Sequence, residues 1–180
     1  MDDGTIDLWG THLPVLLEAI LHTTGPVLEL GSGHYSTRLI RVCAGAFPAR
    51  RFVTCDNQRD WWERVKDLAS ANHEIVCEPW TERFVAEALA RRQPWDVVFV
   101  DEAPAQHRCP EIKRLRNVTE LFVVNNVEPD PRGDAPYRPV YRGYADLLPT
   151  FRFSHVYKRY PVWTGIYSDS PLPEWVGKSL

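Results

Sequence analysis

The sequence predicts a doubly wound α/β domain, and three observations carry that expectation. Short apolar runs alternate with amphipathic segments long enough to be helices. The strongest run, "WDVVFVD" from Trp95 to Asp101, is continuous rather than alternating, which suits a parallel strand covered on both faces. Near the start, "VLELGSGHYSTRLI" (Val27 to Ile40) sets a strand, a two-glycine turn and a helix in succession. Regular β-α-β order implies a parallel sheet with right-handed crossovers.

Taken in order, Thr11 to Thr23 reads as a first helix, with Pro14 tolerated in its first turn. Val27 to Leu30 is a strand, and a helix follows the glycine turn from about Tyr35 to Ala46. Arg51 to Cys55 is the second strand. Arg59 to Asn72 is a helix whose Trp62, Val65, Leu68 and Ala69 recur at helical spacing. Glu74 to Cys77 is the third strand, and Thr81 is the expected cap of a helix running to Arg92. After Trp95–Asp101 come a helix over Ala105–Asn117 and a strand over Glu120–Asn125. The pattern then changes. "PDPRGDAP" (Pro129 to Pro136) is built of turn formers, a short helix covers Val140–Leu148, and "FRFSHVYKRY" and "VWTGIYSD" read as a hairpin interrupted by Pro161.

Composition narrows the function classes. The 180 residues fit one domain, 1–180, and the apolar (44%) and charged (25%) fractions are those of a globular chain. A net charge of -3 disfavours non-specific nucleic-acid binding. The basic clusters Arg50-Arg51, Arg91-Arg92 and Lys113-Arg114-Arg116 read as solvated surface. No apolar run reaches the ~20 residues of a membrane helix, and Met1-Asp2-Asp3 opens no secretory signal, so a cytoplasmic protein is expected. The four cysteines form no Cys-x-x-Cys pair. Reduced thiols are the default, with a Cys55–Cys77 disulfide left open.

In a doubly wound sheet, ligands bind at the carboxyl ends of the strands where the strand order reverses. Four segments converge there. Gly31 and Gly33 allow close backbone approach. Asp56 ends the second strand about 20 residues beyond, where a carboxylate can accept from both hydroxyls of a ribose. Glu78-Pro79-Trp80 offers a flat wall for a purine, and "DEAPAQHR" (Asp101 to Arg108) leaves the strongest strand with a carboxylate and a histidine.

These residues resemble the class I S-adenosylmethionine-dependent methyltransferases, over about residues 10 to 168. "LELGSGHYS" looks like their first motif, Asp56 matches their ribose-binding acid, and "WDVVFVDEAP" matches the motif of their fourth strand. More narrowly, the chain is similar to a small microbial methyltransferase-like group with a "GxGxYST" turn. It departs from that group at Glu102, where histidine is frequent, and at "NNVEP" (Asn125 to Pro129), where "HDTEP" is frequent. The resemblance implies a Rossmann-like seven-stranded sheet of order 3-2-1-4-5-7-6, with the terminal hairpin antiparallel. It implies S-adenosylmethionine as cofactor, held by Glu29, Gly31, Ser32, Gly33, Tyr35, Ser36, Asp56, Asn57, Trp80 and Asp101. Asp101 and His107 are the catalytic candidates, with Tyr35 and His34 behind them.

Some methyltransferases of this fold, those acting on catechols, bind a divalent metal between the fourth and fifth strand ends. Asp101, Asn125 and Asn126 occupy similar ground, but one aspartate with two amides is a poor cage, so no obligatory metal is expected. With no added domain to dock a macromolecule, the expected partner is a small methyl acceptor. The alternative is a protein of this fold that binds the cofactor without catalysis, and a nicotinamide oxidoreductase ranks third because Ser36 replaces the last fingerprint glycine. Seven tryptophans, with Trp175 in the tail, leave room for a homodimer contact.

Overall fold

The computed structural model describes residues 10–78, 81–128, 138–158 and 162–178. Seven strands form one sheet: β1 (Val27–Leu30), β2 (Phe52–Asp56), β3 (His73–Cys77), β4 (Trp95–Val100), β5 (Thr119–Asn125), β6 (Phe153–Tyr157) and β7 (Thr164–Ser168). Their order is β3-β2-β1-β4-β5-β7-β6, with β1 to β5 parallel and β7 antiparallel to both neighbours. This is the order the resemblance implies. The Pro129–Pro136 segment, Pro161 and the Pro79-Trp80 pair lie outside the described residues.

Among the described residues, six α-helices cover the sheet: α1 (Leu13–Leu21), α2 (Ser36–Ala46), α3 (Arg59–Val65), α4 (Glu82–Arg91), α5 (Arg108–Leu115) and α6 (Arg138–Leu147). Alternate residues of the inner strands serve opposite faces. Val27, Phe52, Val97, Phe99 and Val123 pack with Leu16, Ile20 and Ile40 of α1 and α2. Leu28, Val53, Val98, Val100 and Phe122 pack with Phe84, Ile112 and Leu115 of α4 and α5. Burial on both sides is why the strands read as continuous apolar runs; each such side chain contributes about 1.5–3 kcal/mol.

Several expectations need correcting. The third helix ends at Val65, followed by one 3-10 turn to Leu68, rather than running to Asn72. Asn72 instead donates its amide to the carbonyls of Ala44, Phe47 and Arg50, which holds the chain out of the helix and delivers it to β3. Thr81 stands at the N-cap of α4 but makes no capping bond, because its hydroxyl goes to Glu111 of α5. Arg50 is buried rather than solvated: its guanidinium donates to the carbonyls of Ile20, Thr23 and Gly25 where α1 ends. All four cysteines are free thiols. Trp175 is buried in the α1–α2 layer and stacks on His22.

Candidate active site

Strand order reverses between β1 and β4, and the site residues gather at the carboxyl ends of those strands. The turn after β1 is set by Gly31, whose φ of +90° disfavours any side chain. A Cβ there would also lie 2.4 Å from Glu102 Cα, so the turn packs directly on the loop leaving β4. Gly33 is different. Its missing side chain would meet only Ser36 Oγ at 3.3 Å, which leaves the surface above it open.

Glu29 anchors the turn from beneath. It is fully buried, and its Oε2 accepts from Thr37 Oγ1 (2.9 Å) on α2 and Thr54 Oγ1 (2.7 Å) on β2. Thr37 in turn accepts from the backbone N–H of Gly33 (2.9 Å), and Thr54 pairs with His73 (2.8 Å). The other oxygen, Oε1, has no hydrogen-bond partner. Burial pushes this carboxyl up to about 7, while the hydroxyls of Ser36, Thr54 and Thr37 pull it down.

Asp56 braces the turn from the side. Its Oδ2 accepts from Ser32 N–H (2.7 Å) and Ser32 Oγ–H (2.6 Å), and its Oδ1 accepts from Gln58 N–H (2.7 Å). A carboxylate offers about four acceptor sites, so three are taken. About one acceptor position is left free, where the sequence reading expects a carboxylate open to two hydroxyls. Asp56 itself is 4% exposed.

The loops after β2 and β4 are stitched together above the sheet. Asn57 Nδ2 lies 3.1 Å from His107 Nδ1, and Gln58 Nε2 donates to Ala103 O (2.6 Å). His107 therefore stands beside Asn57, while Asp101 is engaged elsewhere, by Arg108 and Asn125. Tyr35 and His34 are exposed at the mouth of the turn, and His34 meets Trp61 of α3 edge-on. Ser36 is buried at the first position of α2.

Two functional candidates, His12 and Arg108, escaped the sequence reading, and Glu102, noted there as a departure from the microbial group, gains its character from the fold. His12, 3% exposed at the N-cap of α1, stacks on Phe99 of β4 (4.9 Å between ring centres), and neither ring nitrogen has a hydrogen-bond partner. Burial holds its imidazole below the usual value, partly opposed by Asp101, so it is neutral near pH 7. Glu102 is 6% exposed with Oε1 unpartnered. Burial and then the nearby Glu111 push it up to about 7, against Arg108. Arg108, within the quoted "DEAPAQHR" but not singled out, pairs with Asp101 Oδ1 at 2.9 Å. The only sequence signal for Arg108 was its place in that loop; His12 and Glu102 gain their character from burial that other segments create.

No protein-family model matches the chain, and no curated protein matches its sequence. Solved structures do match its fold. A Klebsiella pneumoniae protein proposed to be an O-methyltransferase superposes with a TM-score of 0.66 at 15% identity, covering 93% of this chain and 83% of that one. The Podospora anserina methyltransferase PaMTH1, solved with SAH bound, gives 0.65 at 14% identity over 87% and 77%. Cofactor-bound Rv0187 from MTB gives 0.61 at 20% identity over 87% and 78%. The chain has the Rossmann-like fold of these methyltransferases, with the antiparallel strands β7 and β6 at its end.

Proposed function

We propose that the chain binds S-adenosylmethionine at this edge and transfers its methyl group to a small hydroxyl or amine acceptor. The observation that carries the proposal is the cradle itself. Gly31 lays the turn against the β4 loop, Gly33 leaves the space above it open, and Asp56 braces the turn through Ser32. The residues that would hold the donor are Glu29, Gly31, Ser32, Gly33, Tyr35, Ser36, Asp56, Asn57, Trp80 and Asp101. The fold likeness to methyltransferases solved with SAH or cofactor supports the same donor.

S-adenosylmethionine supplies a methyl carbon on a sulfonium, open to in-line displacement. The chain's part is to hold the acceptor in line and to take its proton where it has one to lose. The candidate for that second part is His107, which stands beside Asn57. Asp101 fits better as an anchor. Its carboxylate is already shared between Arg108 and Asn125.

A second reading, cofactor binding without transfer, draws on that same shared carboxylate: the strand-end acid is committed inside the protein rather than offered to an acceptor. Calorimetry with S-adenosylmethionine, S-adenosylhomocysteine and NAD tests the donor, with binding of the first two and none of NAD expected. A labelled-methyl screen over small hydroxyl and amine acceptors then separates the readings. Tight donor binding with no transfer to any acceptor would favour the second.

A further inference from the structure

We propose that Arg108 is a resident cation occupying the ground where catechol-type relatives of this fold hold a divalent metal, so that this chain works without one. Four oxygens converge on its guanidinium from the ends of β4 and β5. Nε donates to Glu102 O (2.7 Å), and Nη2 pairs with Asp101 Oδ1 (2.9 Å). Nη1 donates to Asn125 O (3.2 Å) and Asn126 Oδ1 (3.1 Å). Every nitrogen of the planar fork is engaged, which a rigid guanidinium achieves at little further cost in order.

The surroundings are made for this cation. Asn126 takes the left-handed backbone (φ +60°), which asparagine tolerates better than most residues, and its side-chain oxygen faces Arg108. The Asn125 side chain donates to the other oxygen of Asp101 (3.1 Å), so both carboxylate oxygens are spoken for. Arg108 itself is 7% exposed, and one paired carboxylate neutralises it. A divalent ion in the same place would bring a second positive charge into a buried site, and buried charges persist only when paired. Hard divalent ions also ask for about six oxygens in a regular shell. The residues therefore do not fit the metal, and Arg108 supplies the positive charge in its stead. It is a positioning residue that orients Asp101 and joins the two strand ends.

Mn2+ titration of the full chain, followed by the EPR signal of the free ion, tests this without any methyl donor. The wild-type protein is expected to bind no Mn2+ that Asp101→Asn removes. Arg108→Ala, checked for folding by circular dichroism, is expected to gain Mn2+ affinity of about tenfold or more, because its oxygens are freed. Arg108→Lys, which keeps a cation, should not gain it. Mn2+ binding by wild type that is lost in Asp101→Asn would overturn the proposal, as would a folded Arg108→Ala with no gain. If Arg108→Ala does not fold, the wild-type and Asp101→Asn pair still decides. Failure of S-adenosylmethionine binding would leave this result standing, so the two readings fail separately.

Discussion

The two halves of the sheet's carboxyl edge handle polar groups in opposite ways. On the β1–β2 side, Glu29 keeps an oxygen unpartnered, Asp56 keeps one acceptor site, and Gly33 faces open space. On the β4–β5 side, Asp101, Asn125, Asn126 and Arg108 satisfy one another, and the unpartnered oxygen is on the neighbouring Glu102 rather than on the strand-end acid. The first side leaves acceptors open, as the proposed donor site requires, and the second is knitted together by its own cation.

Substitutions can break this contrast. The largest effect is expected from Arg108→Ala, which leaves Asp101 and three further oxygens facing a hole. Loss of one partner of a buried ion pair costs about 3–5 kcal/mol, and the lower end applies because Asp101 is partly exposed. Urea unfolding measures it. Gly31→Ala comes next, at about 2–4 kcal/mol, since it combines a positive φ with a backbone clash against Glu102. A variant with wild-type stability would mean that the turn is not wedged against the β4 loop.

Glu102→Gln sharpens the contrast through pH. A carboxyl raised from its unfolded 4.5 to about 7 binds more protons folded than unfolded across that interval. Its contribution is therefore fully favourable below about 4.5, declines as pH rises, and is at its worst above 7. Glu102→Gln should flatten that decline and be stabilising at pH 8 relative to pH 5, by up to about 3 kcal/mol. Thermal unfolding at the two pH values reads it, and an unchanged slope would count against the buried, unpaired carboxyl.

The smallest effect is expected from Asp56→Ala. It should weaken S-adenosylhomocysteine binding about tenfold, the worth of roughly one hydrogen bond in a buried site. Calorimetry checks this, and unchanged affinity would remove Asp56 from the donor site.

The sheet was legible because its cues are local. The continuous run at Trp95–Val100 and the glycine turn each declare their state within a few residues. The open half of the edge was legible for the same reason, since Gly31 and Asp56 sit at strand ends that sequence can locate. What escaped depends on distant partners. Arg50 looked solvated until α1 brought three carbonyls to it. Asn72 read as helical until its amide met the loop before β2. Arg108 and His12 owe their roles to oxygens and a ring contributed by other strands. A spacing rule cannot see a partner that only folding supplies.

The strand order has a consequence for how the chain emerges from the ribosome. β7 is made after β6 yet lies between β6 and β5. Until Thr164–Ser168 appears, the outer edge of β5 shows unpaired N–H and C=O groups, and β6 has no neighbour to join. At ~5–20 residues per second, the nascent chain carries that adhesive edge for some seconds. The terminal hairpin is thus the device that seals the sheet, and a chain interrupted before Thr164 would leave it exposed to its neighbours.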